Sequence, residues 1–120
     1  MGVEEIKEIS LGRLRAFFRN KNPDQLSAAD VVRYFSLLYE SMFHKPYVFD
    51  FKSEQTKKDL GQAKRLIKKY GGRKVINAIW FLLKDFGDKA RIGWLFRYTK
   101  YFVSLDVNKN VLSDKDRYSW

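Results

Sequence analysis

The sequence predicts an all-α fold, a compact bundle of about five helices packed around a central apolar helix at residues 74–86. Apolar residues recur at spacings of three and four in most segments, which is typical of amphipathic helices. Capping residues, glycines and prolines separate those segments. The alternating stretch at 47–51 has no second candidate strand to pair with, so we interpret it as an extended connector, with a short β-ribbon as the alternative.

The bulk composition favours one folded domain. The chain has 120 residues, of which 45% are hydrophobic and 17% aromatic, enough for a single core. We expect that domain to occupy residues 1–112, with 113–120 forming a C-terminal tail that is either docked or disordered. The chain has no cysteine, which excludes disulfides, thiolate metal sites and cysteine nucleophiles. The longest apolar run, at 78–83, is much shorter than the ~20 residues that a membrane-spanning helix needs.

Two helices are expected before residue 46. The first covers residues 3–19 and ends before the turn residues at 22–24. The second begins after Ser27, because a serine followed three residues later by Asp30 can form a capping box. It ends at 44–46, since the residue before a proline is biased away from helix. Its apolar stripe consists of Val31, Tyr34, Phe35, Leu38 and Met42.

The third helix, expected from about Ser53 to Tyr70, carries most of the positive charge. The net charge is +10, and residues 57–74 contain eight basic residues and one acid, Asp59. The predicted core side consists of Leu60, Ala63, Ile67 and Tyr70, with Leu66 at its edge. On a helix, the basic side chains fall on the opposite arc; they are Lys57, Lys58, Lys64, Arg65, Lys68 and Lys69. The alternative is an ordinary solvated face, but such faces normally mix charges of both signs.

The apolar fourth helix at 74–86 follows a glycine stop at 71–72. A fifth helix is expected at 89–105, with Asp88 as its N-cap. Its core side would comprise Ile92, Leu95, Phe96, Phe102 and Val103. A second stripe comprises Trp94, Tyr98, Tyr101 and Leu105, interleaved with Arg91, Arg97 and Lys100. Such a stripe can stack unpaired bases, whereas the alternatives are core packing or a dimer seam.

No catalytic pattern is present in the sequence. The single histidine, His44, falls at a predicted helix end, where a cation favours the helix dipole. The nearby carboxylate pairs, at 85 and 88 and at 114 and 116, are flanked by lysine or arginine. No zinc-protease, EF-hand, P-loop or nucleophile-elbow motif occurs. We therefore expect a protein that is not an enzyme and that needs no metal or cofactor.

An ordered series of apolar, basic and aromatic positions runs through residues 32–103. It includes Tyr34-Phe35, Lys45-Pro46-Tyr47, Lys58-Asp59-Leu60, the run from Lys64 to Gly71, Lys74-Val75-Ile76, Trp80-Phe81 and the run from Ile92 to Phe96. This pattern resembles the small helical domain of phage-encoded replication proteins of the replisome-organiser and helicase-loader type. The resemblance implies nucleic-acid or replisome binding in the cytoplasm of a prokaryotic host, and it carries over no catalytic residue.

The leading functional hypothesis is a non-enzymatic DNA-binding protein of phage or mobile-element origin, associated with replication and tolerant of sequence or selective for single strands. The expected phosphate contacts are Lys57, Lys58, Lys64, Arg65, Lys68, Lys69, Arg73 and Lys74. A second tier comprises Arg97, Lys100, Trp94, Tyr98 and Tyr101. The alternative is a protein-interaction module or inhibitor whose basic face binds an acidic surface of a host or replication protein. A membrane-surface role ranks third, because the basic helix has no bulky apolar residues free to insert.

Overall fold

The computed structural model describes residues 12–13, 16–17, 22–45 and 52–103, and these ranges contain helices and turns but no strand. The long helices are α1 (Ala28–Phe43), α2 (Glu54–Tyr70) and α3 (Gly72–Phe86), and a short helix, α4, spans Lys100–Val103. Three 3₁₀ turns occur at Pro23–Gln25, Gly87–Lys89 and Ile92–Phe96. The all-α prediction is confirmed. Among the described helices, none is long and apolar enough to cross a membrane.

The helix starts follow the capping residues of the sequence. The Ser27 hydroxyl accepts a hydrogen bond from the Asp30 amide at 3.2 Å, and the Asp30 carboxylate accepts one from the Ser27 amide at 3.1 Å. The predicted capping box is therefore confirmed. At α2, the Ser53 hydroxyl accepts from the Thr56 amide at 3.0 Å. Each cap satisfies an amide that the first helical turn leaves without a partner.

The joint between α2 and α3 is Gly71, whose φ of 87° and ψ of 153° suit glycine alone. Its amide donates to the Ile67 carbonyl and closes α2. The predicted glycine stop is confirmed, although α3 begins at Gly72 rather than at residue 74. One residue therefore separates α2 from α3, and the two helices contact each other.

Helix α3 is the central element of the described core and packs against α1, α2 and α4. Nine of its 15 residues are buried, among them Ile76, Ile79, Leu82 and Leu83 with no exposed surface. Two ion pairs show the direction of α3 relative to α1. Arg73 near its start pairs with Asp24 before α1, and Asp88 beyond its end pairs with Lys45 after α1. Helices α1 and α3 therefore run in the same direction.

The buried side of α2 differs from the predicted one. Leu66, placed at the edge by the sequence, has no exposed surface, whereas Leu60 is only half-buried. Thr56 and Asp59 are buried as well, with 3% and 2% exposed. The helix is rotated so that its polar Thr56–Asp59 flank faces the protein, which hydropathy spacing cannot indicate.

The prediction of one continuous fifth helix at 89–105 is wrong. Ala90 and Arg91 are extended, the 3₁₀ turn Ile92–Phe96 follows, and only residues 100–103 return to α-helix. Asp88 caps no helix; it lies inside the Gly87–Lys89 turn. Intrinsic preference for a helix is weak here, because five of the 17 residues are aromatic and Gly93 lies among them, and tertiary packing overrides it.

Several predictions concern residues outside the described ranges. They are most of the helix at 3–19, the connector at 47–51, the domain boundary at 112 and the tail at 113–120. Within the first of these segments, residues 12–13 and 16–17 are helical. Phe17 is buried and its ring lies 6.3 Å from that of Tyr34 in α1, so this part of the chain contributes to the core.

Candidate nucleic-acid interface

The exposed side of α2 is uniformly basic over more than three turns. We call it the basic face; it consists of Lys57, Lys58, Lys64, Arg65, Lys68 and Lys69, all of which are exposed. Lys57 lies 3.7 Å from the carboxylate of Glu54, one turn earlier. The other five form no ion pair among the residues that the structure describes. Their charges therefore remain available to an external anion.

The acid within this stretch of sequence, Asp59, does not belong to the basic face. It is 2% exposed, and its carboxylate accepts a hydrogen bond from the Gln55 side chain at 3.0 Å. Between residues 57 and 69 the exposed charges of α2 are consequently all positive. The resulting positive field attracts phosphate groups. Salt ions screen this field readily, because the charges are exposed to solvent.

Gly61 lies in the middle of the basic face. It is exposed, and a Cβ atom built there would meet nothing within 4 Å. A glycine inside a helix destabilises it by about 1 kcal/mol relative to alanine. At this position it leaves the helix backbone open to close approach, which is one of the uses of glycine beside a ligand.

Arg73 and Lys74, also predicted as phosphate contacts, lie beyond the basic face at the start of α3 and are half-buried. The Arg73 guanidinium donates two hydrogen bonds to the Asp24 carboxylate, at 3.2 and 3.0 Å. Its charge is therefore largely balanced by Asp24. The sequence could not indicate this pair, because 49 residues separate its members.

The predicted aromatic stripe is mostly part of the core. Trp94 and Tyr98 are half-buried around Phe86, with ring centroids 5.4 and 4.8 Å from its own. Tyr101 is 4% exposed, and its hydroxyl donates a 2.6 Å hydrogen bond to Asp85. Burial, reinforced by that hydrogen bond, raises the pKa of Tyr101 above its usual range. Its ring is not accessible to a base, so we leave Tyr101 out of the interface.

The exposure of Phe96 was not predicted from the sequence. The expected fifth helix placed it on the core side, but its side chain is 41% exposed, and the neighbouring Arg97 is exposed too. The 3₁₀ turn changes the angle between successive side chains from 100° to 120°. That change, with the extended residues before it, turns Phe96 toward solvent.

The segment that carries Phe96 lies against α2. Gly93 is so close to Gln62 that a Cβ atom on it would lie 2.5 Å from the Gln62 amide nitrogen. Further along, the rings of Phe102 and Tyr70 stack with centroids 3.8 Å apart. The two ends of the segment 93–102 therefore contact the middle and the C-terminal end of α2.

This contact places the segment that carries the second tier against the helix that carries most of the first. Gln62 is one helical turn from Lys58 and Arg65, because residues three and four apart are neighbours on a helix. Arg97 and Lys100, from the second tier, are exposed on the segment that starts there. The turn Ile92–Phe96 thus contacts α2 next to the basic face, and the segment from 96 to 100 carries two exposed positive charges and one exposed aromatic residue.

Among the described residues, no group of three or more histidine, aspartate or glutamate side chains is placed to hold a metal ion. Comparisons with protein-family models, with curated proteins and with solved structures find no match to this chain.

Proposed function

We propose that this protein binds DNA without catalysing a reaction, and that the basic face of α2 contacts the phosphates. The observation that supports this most directly is the separation of charge on that helix. Six basic side chains are exposed, while Asp59 is buried. A helix selected only for solubility gains stability from mixed signs through pairs three or four residues apart, and α2 has one such pair, between Lys57 and Glu54.

The chemistry of the basic face suits contacts with the backbone of DNA rather than with particular bases. Five of its six residues are lysines, which act as flexible point charges. Phosphate contacts position a protein on a strand and carry no direct sequence information. From Lys57 to Lys69 the face extends about 18 Å along the helix, enough to follow several consecutive phosphates.

We assign this binding to the replication of a phage or mobile element, in the cytoplasm of a prokaryotic host. The basis is the pattern of residues 32–103 that resembles the helical domain of phage replication proteins. The assignment of context rests on that resemblance, whereas the assignment of DNA binding rests on the basic face. The two parts of the proposal can therefore fail separately.

A charge-reversal experiment tests DNA binding. Lys64, Arg65 and Lys68 are changed together to glutamate, and binding to labelled single- and double-stranded DNA is measured by fluorescence anisotropy. With five or six phosphate contacts, the wild-type affinity should fall roughly 100-fold or more between about 50 and about 200 mM salt. The triple variant should bind weakly at both concentrations and show a shallower salt dependence.

The matched control reverses three exposed charges on other elements, Arg33, Lys84 and Lys89. It changes the net charge by the same amount, so a loss of binding confined to the first variant assigns the contacts to the basic face. If the wild type shows no salt-dependent binding to either DNA, the proposal is wrong. The basic face would then fit an acidic protein surface, to be sought by affinity purification with the triple variant as control.

A further inference from the structure

Phe96 is an exposed aromatic residue next to positively charged residues in the sequence, in a turn that contacts α2. Single exposed apolar side chains are ordinary on protein surfaces. Phe96, which is 41% exposed, differs in that it ends the turn that contacts α2 next to the basic face. It makes no ring contact with another aromatic residue in the described part of the chain. The exposed Arg97 follows it directly.

Two contacts locate the segment that contains Phe96 on α2. Gly93 lies at Gln62, and Phe102 stacks on Tyr70 at the end of α2. One 3₁₀ turn separates Gly93 from Phe96, an advance of about 6 Å. The turn that ends at Phe96 therefore starts beside the middle of the basic face, and the segment after it reaches the C-terminal end of α2.

We propose that Phe96 stacks on an unpaired base of a strand whose phosphates lie along the basic face, so that the protein prefers single-stranded nucleic acid. The inference rests on the proposed function and narrows its ligand. An aromatic ring beside a row of positive charges is the arrangement by which proteins bind single strands without reading their sequence. In a duplex the base faces are covered by their neighbours, and the ring has nothing to stack on.

Three probes and one substitution test this proposal. The probes are a labelled oligothymidylate of about 16 nucleotides, an oligomer of the same length built from abasic sites, and a blunt duplex. Phe96→Ala should weaken binding of the oligothymidylate by about 5- to 100-fold. Its affinities for the abasic oligomer and the duplex, which depend on phosphates alone, should match those of the wild type.

Two further variants separate stacking from a structural effect. Phe96→Tyr keeps an aromatic face and should restore most of the affinity for the oligothymidylate. Thr99→Ala removes another exposed side chain from the same segment and should change none of the three affinities. Thermal unfolding of each variant checks that the fold is intact, as expected for an exposed position.

The results distinguish this inference from the proposed function. Equal weakening toward all three probes, or unchanged affinity for the oligothymidylate, would overturn the stacking role while DNA binding stands. Tighter wild-type binding to the duplex than to the oligothymidylate would also overturn it. If the wild type binds no probe in a salt-dependent manner, both proposals are wrong.

Discussion

The Tyr101 hydroxyl donates a 2.6 Å hydrogen bond to the Asp85 carboxylate and so joins α4 to the C-terminal end of α3. Tyr101 itself is buried, and Lys100 before it lies with its ammonium 5.2 Å from the tyrosine ring centroid. The hydrogen bond holds the segment that borders the basic face. We therefore expect Tyr101 to affect stability directly and DNA binding only through the position of that segment.

Tyr101→Phe should lower the free energy of unfolding at neutral pH by about 1 kcal/mol, the net value of one hydrogen bond to a partly solvated partner. Burial raises the pKa of Tyr101 above its ordinary value of 10.0. The folded state therefore holds this proton more tightly than the unfolded state, and that stabilisation is lost as the pH rises past 10.0. Urea unfolding between neutral and alkaline pH should show a smaller alkaline loss for the variant. If variant and wild type lose the same stability at alkaline pH, the loss does not come from the Tyr101 hydroxyl. Tyr98→Phe is the control and should show the alkaline loss of the wild type.

Two glycines of the same region should respond to alanine in opposite directions. Gly71 has a φ of 87°, which side chains rarely adopt, so Gly71→Ala should destabilise the protein by about 1–3 kcal/mol. Gly61 lies inside α2 with open space around it, so Gly61→Ala should stabilise by about 0.5–1 kcal/mol. Chemical denaturation measures both. A destabilised Gly61→Ala would show that the helix backbone there is already in contact with another part of the chain.

The rotation of α2 predicts unequal effects of two leucines. Leu66→Ala should lower the free energy of unfolding by about 2–5 kcal/mol, because the side chain is fully buried and a cavity remains. Leu60→Ala, at a half-buried position, should lower it by about 1 kcal/mol. The two variants control for each other, since both remove the same atoms from the same helix. Equal losses of stability would mean that Leu60 is as buried as Leu66, as hydropathy spacing predicts.

Arg73 and Lys64 should differ in their contribution to DNA binding. Lys64→Ala removes an exposed charge with no internal partner among the described residues, and should reduce the salt slope by about 0.7 to 0.9. Arg73→Ala should change the slope less, because Asp24 already holds that guanidinium. Conversely, Asp24→Asn should release Arg73 and strengthen DNA binding. Salt titrations of the three variants test this, and an equal effect of Lys64 and Arg73 would mean that DNA displaces Asp24.

The long helices could be predicted because each carries its own local signals. Ser27 and Ser53 cap the starts of α1 and α2, and glycines end α2 and α3, so neighbouring residues decide these boundaries. The basic face was predictable for the same reason, since helical spacing alone places its side chains on one side. These features depend on contacts within a few residues.

The remaining features depend on residues far apart in the sequence. The burial of Asp59 and Leu66 requires α2 to be rotated against its neighbours, and the pairing of Arg73 requires Asp24 from before α1. The absence of a continuous helix at 89–103 also depends on distant residues. Packing of residues 92–103 against α2 and α3 outweighs a weak local preference, because one buried aromatic side chain contributes more than the helix propensity of several residues.

The sequence by itself determined an all-α chain with three long helices, two of them capped by serine, and one strongly basic helical face. Short-range hydrogen bonds and the helical period are sufficient for both. Only the tertiary structure decided which charges remain exposed and which aromatic ring reaches solvent. Burial of Asp59 and Tyr101 and the exposure of Phe96 follow from how the segments pack. Helical spacing places a side chain on a helix, but the neighbouring elements determine whether water or protein covers it.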